Sequence, residues 1–148
     1  MSDEVHIDVE CDADIVPARA RGRALASQLG FSRTDATLIA TAISEVARNI
    51  VVHAGRGEII VRRQDANNRY GVVVIARDSG PGIPDVAAAM EEGHGTKGGF
   101  GLGLPGARRI MDDFYIESAI GTWTTVTMTK WRARDELERL RERRDQAG

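Results

Sequence analysis

Half of the chain's 16 glycines and three of its four prolines lie between Asp78 and Gly106: Gly80, Gly82, Gly93, Gly95, Gly98, Gly99, Gly101 and Gly103, with Gly106 closing the run. Glycine opens backbone conformations that other residues avoid, and proline removes an amide donor, so neither a long helix nor a ladder strand continues through such a stretch. The regular elements must therefore lie before Asp78 or after Gly103. The stretch itself reads as a mobile glycine-rich segment with one short helical candidate from Pro84 to Glu91.

The flanks carry clear periodicities. Val5, Ile7 and Val9 alternate with His6, Asp8 and Glu10, which predicts a half-buried strand. Ile15, Ala18, Gly22, Leu25 and Leu29 recur at helical spacing between Asp14, read as an N-cap, and Gly30, read as a stop. A second helix starts after Ser32 or Thr34 and runs to about His53, because Leu38, Ile39, Ala42, Ile43, Val46 and Ile50 recur at steps of three and four. Glu58 to Gln64 and Tyr70 to Asp78 read as a hairpin around Asp65, Asn67 and Asn68. After the glycines, Leu104 to Met111 predicts a helix, and Phe114 to Ser118 and Thr124 to Trp131 predict strands. The resulting order, β-α-α-β-β-loop-α-β-β, lacks Rossmann-type alternation and points to an α+β two-layer sandwich, helices on one face of a mostly antiparallel sheet.

Composition removes several classes of function. With 148 residues, a net charge of −2 and 42% hydrophobic residues, the chain suits one soluble domain and lacks the basic excess of a dedicated nucleic-acid binder. No apolar run approaches the roughly 20 residues of a membrane span, and the first residues lack the pattern of a secretory signal. Cys11 is the only cysteine, which excludes an intramolecular disulfide and a cysteine-based zinc site and suits a reducing cytoplasm. Residues 132–148 hold six Arg and five acidic residues around Leu137 and Leu140, so a domain over 1–131 with a charged tail over 132–148, helical or disordered, is expected.

Three segments carry chemistry. Glu45 and Asn49 lie one turn apart on the second helix, where a carboxylate and an amide could join a metal ion to a proton acceptor; the alternative is a solvated helix face. Asp78-Ser79-Gly80-Pro81-Gly82-Ile83-Pro84 follows an apolar strand, and its acid could accept from an exocyclic amine; the alternative is a strand-ending turn. Gly98 to Gly106 leads into a helix N-terminus, whose amides and dipole suit phosphates. Gly101 to Gly106 matches G-x-G-x-x-G, but it follows a loop and not a strand, so a dinucleotide fold is rejected. There is no Walker A, H-R-D or D-F-G sequence.

In combination, Ser44-Glu45-Val46-Ala47-Arg48-Asn49, Asp78 to Asp85 and Gly99 to Gly106 resemble the N, G1 and G2 boxes of the GHKL ATPase superfamily, which includes gyrase, histidine kinases and MutL. The stretch from Gly101 to Asp112 and the Lys130-Trp131 pair resemble the bacterial anti-sigma-factor-type serine/threonine kinases, among them the switch kinases of the stressosome. The resemblance covers about Asp14 to Trp131. Trp123 stands where that family has the second glycine of a late Gly-x-Gly-Thr, and the charged tail is a second departure.

The resemblance implies a Bergerat-type ATP site. Asn49 would be the protein's own Mg²⁺ ligand, and Glu45 would orient or deprotonate the attacking hydroxyl. Asp78 would take the adenine amino group, Gly80 and Gly82 would pass beneath the base and ribose, and Thr124 would lie on the adenine side. A lid from Asp85 to Gly103 would bring the amides of Gly99, Gly101, Leu102 and Gly103 to the phosphates. Lys97 adds positive charge there or is a solvated lid lysine, and Arg48 serves the phosphates or a partner surface. His53 would pack or cap the end of its helix. Family behaviour implies phosphorylation of a serine or threonine on a STAS-domain scaffold antagonist in the cytoplasm, followed by binding and activation of a PP2C-type phosphatase, with no nucleic-acid or membrane partner. The alternatives are an anti-sigma kinase that binds a sigma factor directly, and a nucleotide-gated binding module with little turnover.

Overall fold

In the computed structural model, residues 4–80, 103–119, 121–133, 140, 141, 143 and 144 are described. The glycine-rich stretch from 81 to 102, including the candidate helix from Pro84 to Glu91, lies outside them, as does most of the tail.

The chain opens with β1 (Glu4–Val9), a short 3₁₀ turn (Asp12–Asp14), α1 (Ile15–Gln28) and α2 (Arg33–His53). The hairpin β2 (Gly57–Asp65) and β3 (Arg69–Asp78) follows, then α3 (Gly103–Ile110), β4 (Asp113–Ala119) and β5 (Trp123–Ala133). The five strands form one sheet in the order β1-β2-β3-β5-β4, and every neighbouring pair is antiparallel. This is the expected element order and the expected α+β arrangement, and β5 continues two residues beyond Trp131.

One expected detail differs. Asp14 precedes α1 but does not cap it with its side chain. Its carboxylate accepts from the backbone amides of Glu10 at 2.8 Å and Cys11 at 3.2 Å and so closes the preceding turn. Ser32 is a true N-cap, its hydroxyl accepting from Asp35 N–H at 3.0 Å.

The core lies between the three helices and one sheet face. Val9, Ile59, Val61, Val72, Val74 and Met128 supply the sheet side, and Ile39, Ile43, Val46 and Ile50 of α2 lie against them. α1 packs closely on α2 because residue 22 has no side chain: a Cβ placed there would lie 2.1 Å from Ile43 Cδ1. On the opposite sheet face, Ile60, Val73 and Ile75 form a second small buried cluster. Burial on both faces explains why Val72 to Ala76 is a continuous apolar run where a one-sided strand would alternate.

Candidate functional site

The second half of α2 is apolar toward the sheet, yet Glu45 is also buried, with 8% of its surface exposed. A solvated helix face is therefore not what this segment forms. A buried carboxylate needs donors, and Glu45 finds one far along the chain: Gly103 N–H donates to Glu45 Oε2 at 2.9 Å. Arg48 Nη1 lies 3.6 Å from the other carboxylate oxygen, one turn away. Gly103 opens α3 with φ +67°, a left-handed conformation that glycine adopts without a Cβ clash. The carboxylate thereby satisfies an N-terminal amide of α3, where the helix dipole favours negative charge.

Asn49, half-buried, lies one turn beyond Glu45 on α2. His53 follows in the last turn, exposed: it does not pack, and its place at the C-terminal end of α2 suits the other expected role, at the cap. The end of α2 meets the end of β3 directly: a Cβ on Gly80 would lie 2.5 Å from Ala54 Cβ. Asp78 accepts from Gly80 N–H at 3.0 Å through Oδ1. Partial burial raises the Asp78 pKa above the ordinary aspartate value, while the Gly80 backbone, the nearby His53 charge and the Thr124 backbone pull the other way. Thr124, buried on β5, is the direct cross-strand neighbour of Asp78.

Of the residues singled out from sequence, the structure joins Glu45 to Gly103 and places Asp78 beside Gly80 and Thr124. Gly82, Lys97, Gly99, Gly101 and Leu102 lie outside the described residues. Two further side chains support this region. Lys130 Nζ donates to Ile110 O at 2.9 Å, tying the C-terminal end of α3 to β5, and Ser118 Oγ lies 3.0 Å from Thr124 Oγ1. Lys130 belongs to the Lys-Trp pair that the sequence resemblance marked, whereas nothing in the local pattern around Ser118 distinguishes it from any strand serine.

The arrangement combines two acidic side chains that can accept from N–H or O–H groups, Glu45 and Asp78, with the N-terminus of α3, which Glu45 holds in place. Residues 9–130 match the model of the histidine kinase-like ATPase domain. The serine/threonine-protein kinase RsbT of Bacillus subtilis is 44% identical over 131 residues, covering 88% of this chain and 98% of that protein. An anti-sigma F factor of Caldanaerobacter subterraneus is 34% identical over 124 residues, covering 80% and 85%. A crystal structure of the RsbU and RsbW domains of Rv1364c from Mycobacterium tuberculosis superposes with a TM-score of 0.55 at 24% identity; the match covers 87% of this chain and a third (33%) of that longer one, and it supports the fold. The chain belongs to the histidine kinase-like ATPase domain family, the GHKL superfamily. Within that superfamily it groups with the bacterial serine/threonine-protein kinase RsbT and the anti-sigma F factors.

Proposed function

We propose that the chain transfers the γ-phosphoryl group of ATP to a serine or threonine hydroxyl of a STAS-domain scaffold protein. In this reading it works in the cytoplasm, as a switch kinase of a stressosome module, and afterwards binds and activates a PP2C-type phosphatase. The kinase domain occupies residues 1–131, and the tail over 132–148 is an appendage to it. The observation that carries the reading is the buried Glu45 carboxylate, hydrogen-bonded to the first amide of α3 and one helical turn from Asn49.

The residues fit the required groups. Asn49 offers a hard amide oxygen of the kind Mg²⁺ accepts, and a single protein ligand suits a metal that keeps water and phosphate oxygens around it. When bound, Mg²⁺ neutralises phosphate charge. Glu45 orients the incoming hydroxyl and takes its proton, so that the oxygen attacks phosphorus and ADP departs. Asp78 accepts from the exocyclic amine of adenine, Gly80 and Gly82 pass beneath the base and ribose, and Thr124 lines the adenine side. The amides of Gly99, Gly101 and Leu102 serve the phosphates, with Lys97 adding charge; the Gly103 amide, expected among them, is engaged by Glu45 instead. Transition-state stabilisation in such a site comes from positioning and electrostatics.

Incubation with Mg-ATP and a STAS-domain protein tests this. Transfer that vanishes in Glu45→Gln or on chelation, with ATP binding retained by the variant, supports the assignment; equal transfer by Glu45→Gln removes Glu45 as the base. The similarity to an anti-sigma F factor favours one second reading, direct capture of a sigma factor, which a stable pull-down would support. ATP-dependent partner affinity without any labelled protein would identify a nucleotide-gated binding module.

A further inference from the structure

Gly57, Asp78, Thr124 and Ser118 form one cross-strand row on β2, β3, β5 and β4 at the end of the sheet. The row faces the helices: a Cβ on Gly57 would lie 3.0 Å from Ile50 Cγ2 of α2 and 3.1 Å from Asp78 Cβ. Adjacent residues of such a row interact directly. Ser118 Oγ lies 3.1 Å from the Trp123 carbonyl and 3.0 Å from Thr124 Oγ1. A carbonyl can only accept, so the single Ser118 proton goes to Trp123 O. The contact with Thr124 is then a hydrogen bond only if Thr124 is the donor. Its one proton points toward β4, and what remains for the Asp78 side is lone pairs. Asp78 also accepts there, its carboxylate already meeting the Gly80 N–H and the Thr124 backbone amide with lone pairs to spare.

We infer that Ser118 is a positioning residue for nucleotide selection: by accepting the Thr124 proton it holds Thr124 as an acceptor, so that the base site favours a 6-amino over a 6-oxo purine. The inference rests on the nucleotide reading above. An exocyclic amine brings two N–H donors to two neighbouring acceptors, whereas a 6-oxo group brings lone pairs against lone pairs. A threonine released from Ser118 can turn its proton toward the ligand and relieve that repulsion. Sites that read polar groups discriminate strongly because a mismatch leaves buried atoms unpaired.

The affinities of ATP and inosine triphosphate for the full chain, measured by calorimetry, test this. In Ser118→Ala the ATP preference should fall about tenfold, mainly through tighter inosine triphosphate binding. Ser118→Thr, which keeps the hydroxyl, should restore it. In a Thr124→Val background, Ser118→Ala should change the ratio no further. A serine that merely closes the β4–β5 turn would weaken both nucleotides by one factor, and an unchanged ratio in Ser118→Ala, or the same change with Thr124→Val present, overturns the inference. Failure of the wild-type chain to bind ATP, or ATP binding unaffected by Asp78→Ala, sinks the nucleotide reading and this inference with it. Asp78-dependent ATP binding with an unmoved ratio sinks the role of Ser118 alone.

Discussion

The Glu45 carboxylate accepts the Gly103 N–H across 58 residues of sequence, at 2.9 Å. One side chain of α2 thus holds the N-terminus of α3, and the proposed base is fixed by the first amide of that helix. Glu45→Ala and Glu45→Gln should therefore differ. Glutamine keeps an oxygen for the Gly103 amide, so it should lose phosphoryl transfer by about 10²–10⁴-fold while folding and binding ATP. Alanine should lose transfer and also about 1–3 kcal/mol of stability, as expected for a buried hydrogen bond to a charged group. Urea denaturation beside a transfer assay separates the two effects; equal stability of both variants would remove the anchoring role.

The other end of α3 is held by Lys130, whose Nζ donates to Ile110 O at 2.9 Å and lies 3.8 Å from Asp112 Oδ1. Asp112 Oδ2 in turn accepts from Trp131 N–H at 2.7 Å, and the indole N–H of Trp131 donates to Asp113 at 2.7 Å. Replacing Lys130 by Met keeps the stem and removes the donor. It should cost about 1–2 kcal/mol in denaturant unfolding and speed amide exchange at the end of α3. Arginine at this position should recover much of the loss. Amide exchange in α3 that does not respond to the methionine change would show that Lys130 does not hold the helix.

Gly22 tests the packing of α1 on α2. In an open helix, Gly→Ala gains about 1 kcal/mol from propensity. Here the new Cβ meets Ile43 Cδ1 at 2.1 Å, inside a fully buried contact, so overpacking should win and Gly22→Ala should destabilise by about 1–3 kcal/mol. Ile43→Val removes that Cδ1 atom. The double variant should be more stable than the sum of the two single losses, a coupling that thermal unfolding measures directly.

The sequence made the framework legible because its signals are local. Ser32 before Arg33, the three- and four-residue steps from Leu38 to Ile50, and the turn residues between the β2 and β3 runs each encode a boundary within a few positions. Asp14 marks the start of α1 as expected, but its residue type serves a helix cap and a preceding turn alike, and only the geometry tells which backbone amides its carboxylate meets. The row from Asp78 to Ser118 arises from the order β1-β2-β3-β5-β4, which brings strands distant in sequence side by side, and the pairing of Glu45 with Gly103 arises from the packing of α3 on α2. No spacing rule within one segment contains that information. Val73 and Ile75 point to the opposite sheet face from Val72 and Val74, and a continuous apolar run states burial without stating what covers each side.

Asp78 links the site to pH. Burial raises its folded-state pKa above the ordinary aspartate value, so the folded chain holds this proton at pH values where the unfolded chain has released it. The stability it contributes is fully present below the unfolded pKa of about 4 and declines as pH rises through the folded value, because ionisation is less favourable in the partly buried position. Asp78→Asn removes that dependence. The difference in melting temperature, variant minus wild type, should become more positive from acid to neutral pH and then level off. Binding should move the opposite way. Accepting from an exocyclic amine is strongest for the ionised carboxylate, so ATP affinity of the wild type should rise across the same window, and Asp78→Asn should bind ATP at least about tenfold more weakly at neutral pH. Melting curves and ATP titrations at matched pH values give both slopes. A stability difference that does not change with pH would show that Asp78 ionises as freely in the fold as in the unfolded chain.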